Sequence, residues 1–256
     1  MSLSKNRKRI FLSAILVLIS YFVFQKYQYH KDLEYIKLHG GFIVFRESSL
    51  PTWLQGFVFD KEVESIELNY SQIESLDFLR SFKRVKKLYL EGVKVSSWRP
   101  LQNCIYLEHL NLIRSNFTDF GDLQSYNLKS IIAWDTPVQK LKGIEKFKKL
   151  ELLSLSSCKV SDLKELGELK ALKEFYVKNT AVSDLSPLSS LSSLVKLDIS
   201  HTNVKSLVPL YNLKSLRSLQ IQGLPIKREP TEIYLKQCSV WGFIDDPKIE
   251  VIKVKN

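Results

Sequence analysis

The chain has 256 residues, which suits one or two domains, and 45% of them are hydrophobic, as in an ordinary folded protein. The formal net charge of +11 first suggests nucleic acid, but the lysines recur at fixed positions of a repeated pattern, so we expect no nucleic-acid partner. The three cysteines lack the spacing of a disulfide framework or a metal site and are predicted to be buried thiols.

The N-terminus combines a basic segment with an apolar run. Residues 1–9 hold four basic residues and no acid, and the fifteen residues 10–24 are uncharged. As a helix this run rises about 22 Å, against roughly 30 Å of hydrocarbon. A cleaved signal peptide is the alternative, but bulky residues follow the run instead of small ones. We predict a cytoplasmic segment at 1–9 and a single-pass transmembrane signal anchor at 10–27, with the repeats outside the cytoplasm.

Residues 28–62 are predicted to form an N-terminal cap. Residues 30–37 favour a helix that continues from the anchor, Gly40 and Gly41 break it, and residues 42–45 favour a strand. A stack of repeats has an open apolar end that must be covered. Trp53 is therefore interpreted as cap packing, with a ligand contact as the alternative.

A pattern of 22 residues fills residues 63–228. Apolar residues recur at slots 1, 4, 6, 11, 14, 17 and 20 of the most regular copies, the third copy is one residue shorter, and the eighth copy loses the pattern after Ile226. A fixed period of this length indicates a solenoid, because one unit cannot bury its own apolar side. Eight copies, called repeats 1–8 below, begin at Val63, Val85, Leu107, Leu128, Leu150, Leu172, Leu194 and Leu216.

The Leu-x-x-Leu-x-Leu start of each copy, as at Leu150, Leu153 and Leu155, resembles the leucine-rich repeat family in its short bacterial, internalin-like form. The resemblance implies an α/β solenoid of about eight repeats, with a curved parallel β-sheet and short 3₁₀ or α turns on the convex side. In this chain one N-terminal transmembrane helix would precede it. Slot 9, where the family has Asn, here forms a ladder of mostly small polar residues such as Thr136 and Cys158.

Each repeat is expected to place a strand at slots 3–8. Side chains alternate along a strand, so slots 4 and 6 face the core and slots 3, 5 and 7 face outward. Pro100, Pro187 and Pro209 all occupy slot 16 and predict short convex helices, with Ser and Asp as caps. The Ser-Asp pairs could also suggest catalysis, but their recurrence favours turns. Residues 229–256 are predicted to be a C-terminal cap, with a helix near Pro230 and a closing strand at 249–254.

Function on a solenoid usually lies on the outward strand positions. Apolar residues stand there in the middle repeats, where water would be expected, and aromatic and charged residues surround them. Such a surface is typical of protein binding, although mutual packing is the alternative. The candidate partner-binding residues are Tyr89, Ile113, Arg114, Ile132, Trp134, Asp135, Leu152, Tyr176 and Lys178.

We therefore predict a non-catalytic module that recognises a protein or peptide on its concave sheet, with Trp134 near the centre. The four histidines are scattered, and no phosphate-cradling loop or nucleophile elbow is present, so no enzyme activity, cofactor or metal is expected. Two alternatives stay open. One is binding of an anionic envelope glycan or lipid through the lysine-rich surface, and the other is an inhibitory or immunity-type protein.

Overall fold

The structure, a computed structural model, describes residues 5–47, 61–226 and 239–241. One long helix precedes a sheet whose strands follow one another in chain order. The elements are α1 (Lys5–Leu38), β1 (Phe42–Glu47), β2 (Lys61–Glu67), β3 (Lys87–Tyr89), β4 (His109–Asn111), β5 (Ser130–Ile132), β6 (Leu152–Ser154), β7 (Glu174–Tyr176), β8 (Lys196–Asp198), β9 (Ser218–Gln220) and β10 (Ser239–Trp241).

The sheet is a parallel ladder with one antiparallel strand at its start. β1 pairs antiparallel with β2, and every later neighbour is parallel. Leu88 lies opposite Leu110, and Leu110 lies opposite Ile131, so the register steps by 22 residues and then by 21. This step confirms the shortened third copy and the predicted solenoid.

The strands are shorter than predicted. β3 to β9 occupy slots 3–5 of their repeats instead of slots 3–8. A tight turn ends each strand, as in repeat 5, where the Cys158 N–H donates to the Leu155 carbonyl at 3.2 Å. Hydrogen bonds between repeats nevertheless continue past the strand, because Leu155 N–H donates to the Tyr176 carbonyl at 2.7 Å. The prediction of six-residue strands is therefore wrong, although the backbone stays paired beyond slot 5.

The core follows the predicted slots. In repeat 5 the seven apolar residues from Leu150 to Leu169 are all at most 1% exposed. Each buried leucine side chain contributes about 1.5–3 kcal/mol, and only stacking on the neighbouring repeats provides that burial. One continuous core extends from α1 to repeat 8.

Short 3₁₀ helices form the convex side, as predicted. Pro100, Pro187 and Pro209 each stand at the second position of one of these helices. Asp162 and Asp184 accept hydrogen bonds from backbone N–H groups two residues later, at 2.9 and 2.8 Å. These Ser-Asp pairs therefore act in turns. The helices are Asp77–Ser81, Arg99–Asn103, Ile144–Lys146, Lys164–Glu168, Ser186–Ser190 and Val208–Leu210.

Slot 9 closes the turns through hydroxyl groups. Thr136, Thr180 and Thr202 are buried, and each hydroxyl donates to the carbonyl three residues earlier at 2.7 Å. The Cys158 thiol donates to the Ala133 carbonyl of the preceding repeat at 3.0 Å. The predicted polar ladder thus satisfies backbone groups that would otherwise be buried without a partner. Cys104 and Cys158 are buried free thiols, as predicted.

The C-terminal half of α1 covers the first repeat. Tyr29 and Ile36 are buried, and the Tyr29 ring packs against Phe82 with 5.3 Å between ring centroids. Buried Asp32 accepts a hydrogen bond from the Ser81 hydroxyl at 2.5 Å. The helix therefore closes the open end of the solenoid.

The helix ends where the glycines predict. Gly40 has φ +75°, and the Gly41 N–H donates to the Ile36 carbonyl at 2.8 Å. This is a Schellman-type ending, which favours glycine because of the left-handed backbone. A Cβ on Gly41 would lie 2.5 Å from Ile36 Cγ2, so the chain passes too close to the helix for a larger residue.

Residues 15–24 of α1 form an exposed apolar segment. Large side chains between Ile15 and Phe24 are 37–69% exposed. No helix among the residues described has both the length and the apolar character needed to cross a membrane. The transmembrane helix predicted at residues 10–27 is therefore not supported. After the apolar run, Lys26, Lys31 and Asp32 make the rest of the helix polar.

Several predictions concern residues outside the described ranges. They include Trp53 in the N-terminal cap, Cys238, the helix near Pro230 and the strand at 249–254. The part of the C-terminus that is described is β10, which pairs in parallel with β9 and places Val240 opposite Leu219.

Candidate binding face

The side of the sheet away from the core is formed by slots 3, 5 and 7, together with slot 8 at the turn. We call it the outward face. In β3 to β7 the central residue is buried and its two neighbours are half-buried, which is the alternation expected for one solvent-facing side. All nine predicted site residues lie on this face, and none of them is fully buried.

The nine residues occupy four rows, at slots 3, 5, 7 and 8, that cross successive repeats. Leu152 is in the slot-3 row, between Ser130 and Glu174. Tyr89, Ile132 and Tyr176 are in the slot-5 row of repeats 2, 4 and 6. Ile113, Trp134 and Lys178 are in slot 7, and Arg114 and Asp135 are in slot 8.

Five of these residues come together in repeats 3 and 4. Trp134 is 37% exposed, and the Arg114 guanidinium lies over its ring, 4.9 Å from the ring centroid. Arg114 Nε is 3.8 Å from the Asp135 carboxylate. Ile113 precedes Arg114, and Ile132 lies on the strand that leads to Trp134. Tyr89 and Tyr176 stand two repeats from this centre, about 10 Å to either side.

Two residues outside the predicted set complete the cluster. The Tyr70 hydroxyl hydrogen-bonds to the Glu91 carboxylate. Arg114 Nη1 donates to the Tyr70 hydroxyl at 3.2 Å and is 3.5 Å from Glu91. These contacts, with the Tyr70 hydrogen bond as the largest cause, raise the pKa of Arg114, so its charge is permanent.

Slot 8 has a left-handed backbone in every repeat. Six of its residues are not glycine and have φ of 54–57°. Asp135, Asn179 and glycine suit this conformation, but Tyr70 and Arg114 are bulky and therefore unusual there. The recurrence of Gly, Asp and Asn at slot 8 is a sequence signal for such a turn. Because tyrosine rarely adopts a left-handed backbone, that signal would have marked Tyr70 as an unusual residue at slot 8.

Glycine also makes room for Tyr70. A Cβ on Gly92 would lie 2.5 Å from Tyr70 Cδ1, so the tyrosine ring lies directly on this glycine. This contact lets the ring cross repeat 2 and reach Arg114 in repeat 3. The position of the Tyr70 ring is thus coupled to the glycine at slot 8 of the next repeat.

A ladder of opposite charges borders the outward face where the strands begin. Lys86 Nζ is 3.2 Å from Glu108, Lys129 Nζ is 2.7 Å from Glu108, and Lys173 Nζ is 2.8 Å from Glu151. The hydrogen bond from Lys129 is the main cause that lowers the pKa of Glu108. These lysines are therefore paired with glutamates across neighbouring repeats.

The outward face is not equally open in all repeats. Asp198 and Ser200 occupy slots 5 and 7 of repeat 7, yet they are only 7% and 3% exposed. The Asp198 carboxylate accepts a hydrogen bond from the Ser200 N–H at 2.9 Å. In repeat 6, burial and a hydrogen bond to Glu174 raise the pKa of Tyr176, so its hydroxyl stays protonated.

Metal ligands do not cluster among the described residues, where no group of three His, Cys, Asp or Glu residues could hold an ion. The two described thiols are poor nucleophiles, since burial raises the pKa of Cys104 to about 12 and also raises that of Cys158. The exposed chemistry of the outward face is thus aromatic, aliphatic and ionic.

Comparison with known proteins gives no match to any protein-family profile and none to a curated protein. Among solved structures, internalin C2 from Listeria monocytogenes is similar, with a TM-score of 0.68 and 17% identity over 71% of this chain and 81% of that one. These likenesses, with the two below, show that this chain has the leucine-rich-repeat fold.

Two plant receptors are similar as well. One is the leucine-rich-repeat ectodomain of the receptor kinase GASSHO1/SCHENGEN3 from Arabidopsis thaliana, in complex with Casparian strip integrity factor 2. It has a TM-score of 0.63 and 16% identity over 72% of this chain and 24% of that one. The other is the plant peptide hormone receptor RGFR1 in complex with RGF2, with a TM-score of 0.54 and 17% identity over 66% of this chain and 30% of that one. This chain spans less than a third of either receptor chain.

Proposed function

We propose that the protein is a non-catalytic binding module of the short, internalin-like repeat type that recognises a protein or peptide on its outward face. The observation that carries the proposal is the group of apolar side chains at Ile113, Ile132 and Trp134, in which the isoleucines are half-buried, the tryptophan is exposed and Arg114 stacks on the tryptophan. Exposed aromatic residues beside an arginine are the usual anchors of protein interfaces. Structural likeness to receptors solved with bound factors supports the same role.

Arg114 prepares this site for a partner. Its guanidinium contacts Glu91, Asp135 and Tyr70 and so stays over the Trp134 ring. A side chain that is held in place before binding loses less conformational entropy when the partner arrives. The strained backbone at Tyr70 and Arg114 then has a function, because it positions the two side chains toward each other.

The glycan or lipid alternative is weaker in this structure. Lys86, Lys129 and Lys173 form ion pairs with glutamates, and Lys148 is 3.0 Å from Glu168. A polyanion would have to compete with these carboxylates for each lysine. The inhibitory or immunity-type role also stays a proposal, because it would use the same outward face.

A membrane location outside the cytoplasm is the second part of the proposal. The exposed apolar side chains between Ile15 and Phe24 support attachment, since contiguous apolar surface of this kind marks a membrane or protein contact. Protease treatment of intact cells should digest the repeats, whereas protection of the repeats or their recovery without membranes would contradict this location.

Partner capture tests the binding role. Full-length protein should recover a partner that a Trp134→Ala variant loses. Tyr126→Ala is the matched control, because Tyr126 is 61% exposed and lies outside the outward face. Equal recovery by Trp134→Ala and Tyr126→Ala would refute the proposed site.

A further inference from the structure

The middle of the outward face has an uncharged floor. The slot-5 row from Tyr89 in repeat 2 to Tyr176 in repeat 6 contains no ionisable acid or base between its two tyrosines. The slot-7 row from Ile113 to Ser156 in repeats 3–5 is also uncharged. These two rows offer apolar surface together with hydroxyl and amide groups.

Charges on the strand-start side of this floor are already paired. Glu108 lies between two lysines, with Lys86 at 3.2 Å and Lys129 at 2.7 Å. Glu174 in the slot-3 row is 2.9 Å from Lys196. The carboxylates along this side are therefore engaged by ammonium groups from neighbouring repeats.

Charges on the turn side are paired as well. The Arg114 guanidinium is 3.5 Å from Glu91 and 3.8 Å from Asp135, and the Trp134 ring covers it. The floor is thus an uncharged strip between two borders of ion-paired residues. Lys178 marks its end in the slot-7 row of repeat 6.

We propose that the outward face binds an uncharged, extended peptide segment across repeats 2–6, an inference that rests on the proposed binding function. A charged side chain over the floor would lose hydration, and the charged groups of Glu91, Glu108 and Arg114 beside it are already engaged by their own partners. Apolar and hydroxyl side chains lose much less hydration free energy than charged ones when they leave water for the floor. The charge distribution therefore selects against acidic and basic segments.

The dimensions of the floor set the length of this segment. Repeats 2–6 span four strand spacings of about 4.8 Å, which is roughly 19 Å. An extended chain advances about 3.3 Å per residue, so the floor accommodates about six residues. Trp134 lies at the middle of this span, where a bulky apolar side chain of the segment would contact it.

An array of hexapeptides tests the inference on the full-length protein. One set has Leu, Tyr, Ser and Asn at the four central positions, and two further sets place Asp or Lys there. We expect the neutral set to bind at least about tenfold more tightly than either charged set. Its affinity should change less than about twofold between low and moderate salt. Binding should be lost in Trp134→Ala and kept in Tyr126→Ala.

The outcomes separate this inference from the function on which it rests. Tighter binding of an acidic or basic set, still dependent on Trp134, would overturn the neutral segment and leave the binding function standing. If no set distinguishes wild type from Trp134→Ala, both the neutral segment and the proposed site are wrong.

Discussion

Repeats 4 and 7 place opposite kinds of side chain at the same two outward positions. In repeat 4, slots 5 and 7 hold Ile132 and Trp134, which are partly exposed although they are apolar. In repeat 7, the same slots hold Asp198 and Ser200, which are buried although they are polar. The repeat therefore fixes the direction of a side chain, while its neighbours decide whether water reaches it.

The contrast separates a structural surface from a binding surface. Asp198 is satisfied internally, because it accepts the Ser200 N–H, and the Ser200 hydroxyl accepts the Gln222 N–H at 3.2 Å. Trp134 is stacked on one side by Arg114 but remains 37% exposed. The first arrangement stabilises the solenoid, and the second leaves apolar surface for a partner.

The largest expected effect lies in the core that both repeats share. Leu155 is fully buried at slot 6, and Leu155→Ala should lower the free energy of unfolding by about 2–5 kcal/mol, because it removes apolar contacts and leaves a cavity. Urea unfolding followed by circular dichroism would measure this loss. An unchanged midpoint would show that the repeat register is wrong.

The next effect concerns repeat 7. Asp198→Ala removes the acceptor of the buried Ser200 N–H and should cost about 1–3 kcal/mol in unfolding free energy. Asp198→Asn is the matched control, because its side-chain oxygen can still accept this bond. Thermal unfolding of both variants would check the expectation, and equal stability of wild type and Asp198→Ala would contradict the structural role.

A smaller loss of stability is expected in repeat 4. Trp134→Ala removes exposed surface and the contact with Arg114, which together should cost less than about 1 kcal/mol of unfolding free energy. Partner binding should nevertheless be lost. A loss of several kcal/mol would instead assign Trp134 to the core.

The smallest effect depends on pH. Hydrogen bonds from lysines lower the pKa of Glu108 in the folded protein, so its ion pairs stabilise the fold above the ordinary pKa of about 4.3. That stabilisation is lost as pH falls through the lowered pKa. Glu108→Gln should therefore be less stable than wild type at pH 7, by under about 1 kcal/mol. Melting temperatures should converge as pH falls through this lowered pKa, and a constant difference would contradict this account.

The 22-residue period of the sequence predicted most of the fold. The residues that recur at the same slots face the neighbouring repeats, and stacking of the repeats buries them. The core slots, the convex prolines and the shortened third copy could all be found in this way. Slot 8 was missed, since a left-handed backbone leaves only a weak signal in residues such as Asp135 and Asn179. The predicted strand length was wrong for the same reason. The unrecognised turn at slot 8 ends each strand before the predicted position.

The candidate site was only partly predictable. Trp134 and Arg114 could be placed on the outward face from their slots alone. Tyr70 and Glu91 could not be joined to Arg114 from the sequence, because the contact crosses two repeats and depends on Gly92. The burial of Asp198 likewise depends on adjacent repeats, and its own slot predicts exposure.

The central claim is that the outward face of repeat 4 is the binding surface. The most direct test is to measure the unfolding free energy and the partner affinity of Trp134→Ala and Asp198→Ala side by side. Trp134→Ala should keep its stability and lose binding, whereas Asp198→Ala should lose stability and, below its melting temperature, keep binding. If Trp134→Ala binds as wild type does, or loses as much stability as Asp198→Ala, the outward face of repeat 4 is not the binding surface.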